Sequence, residues 1–151
     1  MMQNTTNSPI RPRLLVLRGL AALFALVLDF AVLQTANIIY IRAFRYFPVG
    51  PQLLALASTV LLFAVEIAIF ILHREVSLPA RIVGLPIAPI QAVLIWCIGN
   101  TGTLLPQGYA FALPFRKAGA YLCLALSLVV MIQFIDTAFR FAKSNRVGRQ
   151  A

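Results

Sequence analysis

The chain has 151 residues, of which 61% are hydrophobic and 11% are charged, and its mean hydropathy is +0.89. Soluble domains are about half apolar and about a quarter charged, so this composition excludes an ordinary soluble domain and is typical of a membrane protein. Thirteen Lys and Arg residues stand against four Asp and Glu, but most of the basic residues border apolar runs, where they meet lipid headgroups. We therefore expect membrane lipids as partners and no nucleic acid.

Four apolar runs are long enough to cross a hydrocarbon core, which takes about 20 helical residues. In chain order they cover residues 14–36, 53–72, 87–105 and 119–141. Backbone groups cannot stay unpaired in lipid, so each run is predicted to be a helix, and prolines break the chain between runs. The predicted fold class is all-α: an integral membrane four-helix bundle with up-down-up-down topology. A short N-terminal segment (1–13) and a basic tail (142–151) flank it.

The basic residues predict the orientation of the bundle. Nine of the thirteen lie in or beside the N-terminal segment, the middle loop and the tail, which share one side in this topology. The other four, on the opposite side, are Arg42, Arg45, Arg116 and Lys117. Since Lys and Arg are enriched on the cytosolic side, both termini are expected in the cytosol, with the protein in the plasma membrane or an endomembrane.

Ionisable residues inside the spans form the candidate site. A charge at the middle of a membrane helix costs about 2.5–3.5 kcal/mol on the insertion scale, so Glu66 is expected to face other helices rather than lipid. With a rise of 1.5 Å per residue, one polar layer lies about 6–9 Å from the cytosolic ends of the spans. Its members are Arg18, Glu66, Gln91 and Asp136, with Arg140 one turn beyond Asp136. A second layer, about 20–22 Å from the same face, holds Asp29 and Asn100.

The spacing of polar residues predicts which helix faces meet. Arg18 and Asp29 lie eleven residues apart and share a stripe with two alanines that allow close packing. Gln91 and Asn100 point in opposite directions, so the third helix is expected to contact two neighbours or a second subunit, which allows a homo-oligomer. A polar seam on the second span recurs every seven residues, at Gln52, Thr59, Glu66 and His73.

Two interpretations of the first layer follow from these positions. In the structural one, Arg18 neutralises Glu66, Arg140 neutralises Asp136, and the Gln91 amide fills the remaining hydrogen bonds. In the functional one, the carboxylates bind and release protons or cations, as relay groups do in pumps. The presence of basic partners at matching depth favours the structural interpretation.

Other chemistry is sparse in the sequence. Cys97 and Cys123 fall inside apolar runs and are interpreted as buried thiols rather than as a disulfide. The single histidine, His73, has no Cys or His at metal-ligand spacing, and no phosphate loop or catalytic motif is present. We expect no enzymatic activity, no cofactor and no metal site.

Aromatic and basic residues are mixed between the first two spans. This mixture is typical of residues that settle at headgroup level, and it is interpreted as interfacial anchoring, with a lipid- or partner-binding surface as the alternative. The residues are Tyr40, Arg42, Arg45 and Tyr46.

The tail beyond the last span contains Lys143, Arg146 and Arg149 and no acid. Each basic residue near an anionic leaflet adds about 1 kcal/mol of attraction, so the tail is expected to lie on the cytosolic surface without binding a specific lipid. The alternative is a solvated, disordered end.

Two segments carry a resemblance to a known family. The first span reads "LRGLAALFALVLDFAVL", with an arginine near one end followed by Leu, Phe and Ala, and the fourth span begins "FRKAGAYLCLALSL". In these features and in its four spans the chain resembles the MARVEL-domain family. The resemblance implies a non-enzymatic protein that organises membrane domains or assists trafficking through lateral association with lipids and proteins. The alternative function is a small carboxylate-based proton or cation transporter, or a channel subunit.

Overall fold

The structure is a computed structural model that describes residues 11–42, 50–101 and 109–150, with side chains described in these ranges except at 109–112 and 148–150. Within these ranges it is all-helical and has no strand. The helices are α1 (Pro12–Thr35), α2 (Pro51–Leu72), α3 (Leu78–Gly84), α4 (Ile87–Gly99) and α5 (Tyr109–Gln150). Four segments are long and apolar enough to cross a membrane, since α3 and α4 together form the segment Leu78–Gly99. These segments indicate an integral membrane protein.

The ends of α1 follow from its sequence. Pro12 occupies the first turn. Backbone N–H groups of the first turn have no partner within the helix, so proline, which lacks an N–H, loses no hydrogen bond there. At the other end, Asn37 has φ 59°, a left-handed conformation that asparagine tolerates better than most residues. The N–H of Ile38 donates to the Leu33 carbonyl at 2.9 Å and that of Asn37 to the Gln34 carbonyl at 3.1 Å, which is the Schellman pattern of a helix stop.

The third span begins earlier than predicted. The predicted range was 87–105, whereas the helical segment covers Leu78–Gly99. Pro79 is in the first turn of α3, where proline starts a helix instead of stopping it. Pro86 lies in a turn between α3 and α4, and α4 resumes at Ile87. Residues 102–105 of the predicted span lie outside the described residues.

The last helix is longer than its predicted span of 119–141. With 42 residues, α5 is about 63 Å long, roughly twice a hydrocarbon core of about 30 Å. Pro114 lies near its start. The predicted separate tail, up to Gln150, continues this helix, so the interpretation as a disordered end is wrong for these residues.

The helices pack as a four-membered ring in which α1 contacts α2 and α5, and α4 contacts α2 and α5. Two apolar clusters fill the ring. One is formed by Leu28, Ala31, Val32, Ala36, Ala55, Ile95, Ile98, Ala120 and Cys123. The other is formed by Ala21, Ala25, Leu62, Ile87, Ala88 and Val130. Small side chains on α1 let the neighbouring backbones approach closely, as the alanine stripe predicts.

The outer faces of the ring are apolar. On α2 alone, Val60, Leu61 and Ile71 are 67%, 47% and 62% exposed. In water such a surface would be unfavourable, but lipid tails solvate it. The interior is where the polar residues of the spans are concentrated.

Candidate functional site: two polar clusters inside the bundle

The first polar cluster centres on a buried ion pair between α1 and α2. Arg18 Nη1 lies 3.1 Å from Glu66 Oε1 and 3.3 Å from Glu66 Oε2, and both residues are 2% exposed. The same nitrogen donates to Gln133 Oε1 on α5, and Gln133 Nε2 donates to the Ala80 carbonyl on α3 at 3.4 Å. We call Arg18, Glu66 and Gln133 the Arg18 cluster. Its three residues lie on α1, α2 and α5, and the bond to Ala80 connects it to α3.

Gly84 completes the wall of this cluster. A Cβ at this position would overlap the Glu66 carboxylate, so only glycine lets α3 approach the ion pair so closely. Because the two charges neutralise each other inside the protein, the cluster avoids the large cost of an unpaired charge in hydrocarbon. The structure thus brings together Arg18 and Glu66, which the sequence placed in one layer.

Gln91 lies elsewhere, and its predicted place in the first layer is corrected. Gly84, not Gln91, is the third-span residue level with Glu66. The predicted third span started at residue 87, but the helical segment starts at Leu78. Nine residues of helix correspond to about 13 Å. Gln91 therefore lies away from Glu66 along the bundle, at the level of Asp29.

The second polar cluster is a chain of hydrogen bonds across α1, α4 and α5. Ser127 Oγ donates to Asp29 Oδ1 at 2.6 Å. Gln91 Nε2 donates to Ser127 Oγ at 2.9 Å and to the Cys123 carbonyl at 3.0 Å. We call Asp29, Ser127 and Gln91 the Asp29 chain. Gln91 is fully buried, and its Oε1 has no hydrogen-bond partner in the described part of the chain.

Asp29 differs from Glu66 in its neighbours. Among the described residues, Glu66 and Asp136 pair with arginines and Glu75 contacts His73, whereas Asp29 has no such basic partner. Its hydrogen-bonding partner is a neutral hydroxyl, which cannot offset a charge as a guanidinium does. Ser127 was not predicted from the sequence, although it shares an inward stripe on α5 with Ala120, Cys123 and Val130 at helical spacing.

The predicted pairing of Asp136 with Arg140 is present, but neither residue belongs to either cluster. They pair with each other, Arg140 Nε to Asp136 Oδ2 at 2.9 Å, but their side chains are 56% and 67% exposed. The inward face of α5 passes through Val130 and Thr137. One residue turns a helix by about 100°, so Asp136 points outward when Thr137 points inward. Gln133 is only about 40° from Thr137 around the helix, and it is the residue that reaches Arg18.

Asn100 is also displaced from its predicted layer with Asp29. Its side-chain amide donates to the Trp96 carbonyl at 2.8 Å. The adjacent Gly99 lines a cavity together with Thr35, six residues beyond Asp29 on α1. Six residues correspond to about 9 Å, so the structure places Asn100 near the end of α1 rather than level with Asp29.

Of the predicted interfacial residues, Tyr40 and Arg42 are exposed beyond the end of α1, and Tyr40 is 68% exposed. Arg45 and Tyr46 lie outside the described residues. Of the two free cysteines, Cys123 is buried and Cys97 is partly buried.

The connection from α2 to α3 carries its own polar contacts. The His73 ring nitrogen Nδ1 lies 2.9 Å from Glu75 Oε1, and this hydrogen bond lowers the pKa of Glu75 from its ordinary value. Arg81 donates to the Phe70 carbonyl at 3.0 Å, and its guanidinium carbon lies 5.3 Å from the centre of the Phe70 ring. These contacts fix the start of the third span against the end of α2.

The fold and the two clusters define a helical membrane protein whose interior holds one buried ion pair and one chain of hydrogen bonds. In the described part of the chain, no group of three His, Cys, Asp or Glu residues is arranged to hold a metal ion. Comparison of the chain with protein-family models, with curated proteins and with solved structures gave no match.

Proposed function

We propose that the chain is a non-enzymatic multi-pass membrane protein that organises membrane domains or assists trafficking through lateral association with lipids and other membrane proteins. The observation that supports this most is the Arg18 cluster. Arg18 and Glu66 are buried, joined at 3.1 Å and surrounded by residues of four helices, as expected of groups that hold a bundle together. What remains available for interaction is the apolar outer surface.

The proposed topology is up-down-up-down, with both termini in the cytosol. Two features support it. One apolar cluster combines residues near the end of α1 with a residue near the start of α2, such as Val32 with Ala55. In addition, nine of the thirteen basic residues fall on the side proposed as cytosolic. Accessibility of tags at both termini, measured in intact and permeabilised cells, tests this arrangement.

The MARVEL-like character of the protein is part of the same proposal. It rests on the four spans and on the two quoted segments, and the proposed partners are membrane lipids and, for lateral association, a second copy of the chain or other membrane proteins.

Lateral association can be measured directly with the full-length protein. Donor- and acceptor-labelled protein is reconstituted in giant vesicles, and energy transfer is recorded against surface density. We expect transfer above the level of random proximity, together with a changed distribution of a labelled lipid around the protein. A protein that diffuses as an isolated monomer at every density, with lipids undisturbed, would contradict the proposal.

A second candidate function is favoured by Asp29. Proton or cation carriers use membrane carboxylates that are not neutralised permanently, and Asp29 has a hydroxyl as its partner where Glu66 has an arginine. The alternative transporter would therefore use Asp29 rather than Glu66. Proton or sodium flux into liposomes that is abolished by Asp29→Asn and retained by Asp136→Asn would establish it. Flux no greater than in protein-free liposomes would eliminate it.

A further inference from the structure

A polar cavity opens where α1 ends and α2 begins, and we call this the distal end of the bundle. Its volume is about 350 Å³, within the range of sites for small ligands or headgroups. Four helices contribute to its wall. The polar and small residues that matter here are Gln34, Thr35, Asn37, Gln52, Gly99 and Arg116.

Arg116 gives the cavity a positive charge without a counter-charge. Its Nε is buried and has no hydrogen-bond partner in the described part of the chain. The four acidic side chains of the protein are all engaged elsewhere: Glu66 and Asp136 with arginines, Glu75 with His73, and Asp29 with Ser127. A buried guanidinium N–H without an acceptor is costly, and anionic oxygens are its preferred partners.

Neutral donors surround the same space. The Gln52 side chain rests directly on Gly99, where any Cβ would overlap it, so the position of its amide is fixed by packing. Gly50 and Pro51 begin α2 at the cavity wall, and no side chain caps this helix end. The partial positive charge of the first turn therefore adds to that of Arg116.

We propose that the distal cavity binds the phosphate group of an anionic membrane lipid. A phosphate offers several acceptor oxygens to converging donors, and arginine matches two of them at once. The cavity lies at the end of apolar α1 and is lined by Arg116, which is followed by the long apolar part of α5, so its depth is that of lipid headgroups. This inference rests on the cavity alone and does not depend on the proposed function.

Trp96 allows the proposal to be tested in full-length protein. It is the only tryptophan of the chain, is 52% exposed, and lies three residues before Gly99. The protein is placed in phosphatidylcholine nanodiscs that contain a minor fraction of brominated phosphatidic acid or, for the baseline, brominated phosphatidylcholine. Bromine quenches tryptophan, so we expect stronger quenching by phosphatidic acid at equal mole fraction.

The variants distinguish a specific binding site from general electrostatic attraction of anionic lipid to basic residues. Arg116→Gln should lower the preference for phosphatidic acid about tenfold, the scale of one charge-assisted hydrogen bond. Lys117→Gln removes the same charge from an exposed neighbour and should change the preference less than twofold. Gly99→Ala, which displaces Gln52, should weaken binding with Arg116 intact. Circular dichroism and the unfolding temperature confirm that each variant is folded.

Two results would overturn the proposal. Equal losses in Arg116→Gln and Lys117→Gln would mean that surface charge alone attracts the lipid. Displacement of brominated phosphatidic acid by inorganic phosphate at equal concentration would assign the cavity to a free anion instead of a lipid. We expect inorganic phosphate to displace little, because it lacks acyl chains that lie along the helices.

Discussion

Replacing Glu66 by glutamine removes the negative charge from the Arg18 cluster while preserving side-chain size. Arg18 would then remain inside the bundle, 2% exposed, without an anionic partner. Breaking a buried ion pair in this way costs about 3–5 kcal/mol, since the remaining charge stays desolvated. Arg18 keeps the Gln133 oxygen as an acceptor, so we expect a loss near the lower limit, about 3 kcal/mol. The unfolding equilibrium would shift more than a hundredfold.

The measurement is reversible unfolding of purified protein in lipid–detergent bicelles, with the free energy of unfolding as the readout. Asp136→Asn is the matched control, since it also removes a carboxylate from an arginine pair. That pair is more than half exposed, so its loss should cost only about 0.3–0.5 kcal/mol. A double variant, Arg18→Met with Glu66→Leu, replaces both charges by apolar groups and should be more stable than Glu66→Gln.

If Glu66→Gln and Asp136→Asn lose the same stability, burial of the Arg18 cluster does not decide its contribution. If the double variant is less stable than Glu66→Gln, the hydrogen bonds rather than the compensated charges hold the helices together.

Three further predictions concern single positions. Gly84→Ala forces a Cβ into the Glu66 carboxylate and should lower the free energy of unfolding by about 1–3 kcal/mol in the same bicelles. Ser127→Ala leaves the Asp29 carboxylate and a Gln91 N–H without their shared partner, and it should lower the free energy of unfolding by about 1–3 kcal/mol. The pKa of Glu75 is lowered from an ordinary value of 4.5 by its hydrogen bond with His73, so its contribution is present above pH 4.5 and is lost as the pH falls through the lowered pKa. Glu75→Gln should flatten the dependence of unfolding temperature on pH in that acid range.

Each of these changes has a control. Gly19→Ala places a Cβ 3.6 Å from Phe134, an ordinary contact, and should not destabilise. Ser58→Ala removes a buried hydroxyl that bonds only within its own helix, to the Leu54 carbonyl, and should cost less than Ser127→Ala. Unchanged acid sensitivity in Glu75→Gln would assign that sensitivity to other carboxylates.

The sequence predicted the first two helices well, because their polar residues repeat at regular intervals. The seven-residue spacing on α2 places Thr59, Glu66 and His73 on one face, and all three are buried. On α1, the eleven-residue spacing of Arg18 and Asp29 places both toward the helices that bind them. A cost of several kcal/mol for an exposed charge in lipid leaves few alternatives for such residues.

The third span could not be located in the same way, because proline has opposite effects at different helix positions. Pro79 was interpreted as a break, yet in the first turn of a helix its missing N–H costs nothing. Arg81, one of the basic residues of the predicted middle loop, folds back to the Phe70 carbonyl and ring. The predicted start of the third span is therefore nine residues too late. This error displaces every residue of the span in depth, and it explains why the predicted partners of Gln91 are wrong.

The outward position of the Asp136–Arg140 pair follows from the same energetic cost that buries Arg18 and Glu66. If the apolar part of α5 begins after Lys117, about 20 residues of helix fill a hydrocarbon core of about 30 Å, which ends near residue 137. The pair therefore lies at the boundary of the core, where water and headgroups solvate charges and exposure is inexpensive. Arg18 and Glu66 are fully buried, and they meet protein instead of solvent. The depth of a residue along its helix, together with its charge, thus decides whether it must find a partner inside the bundle.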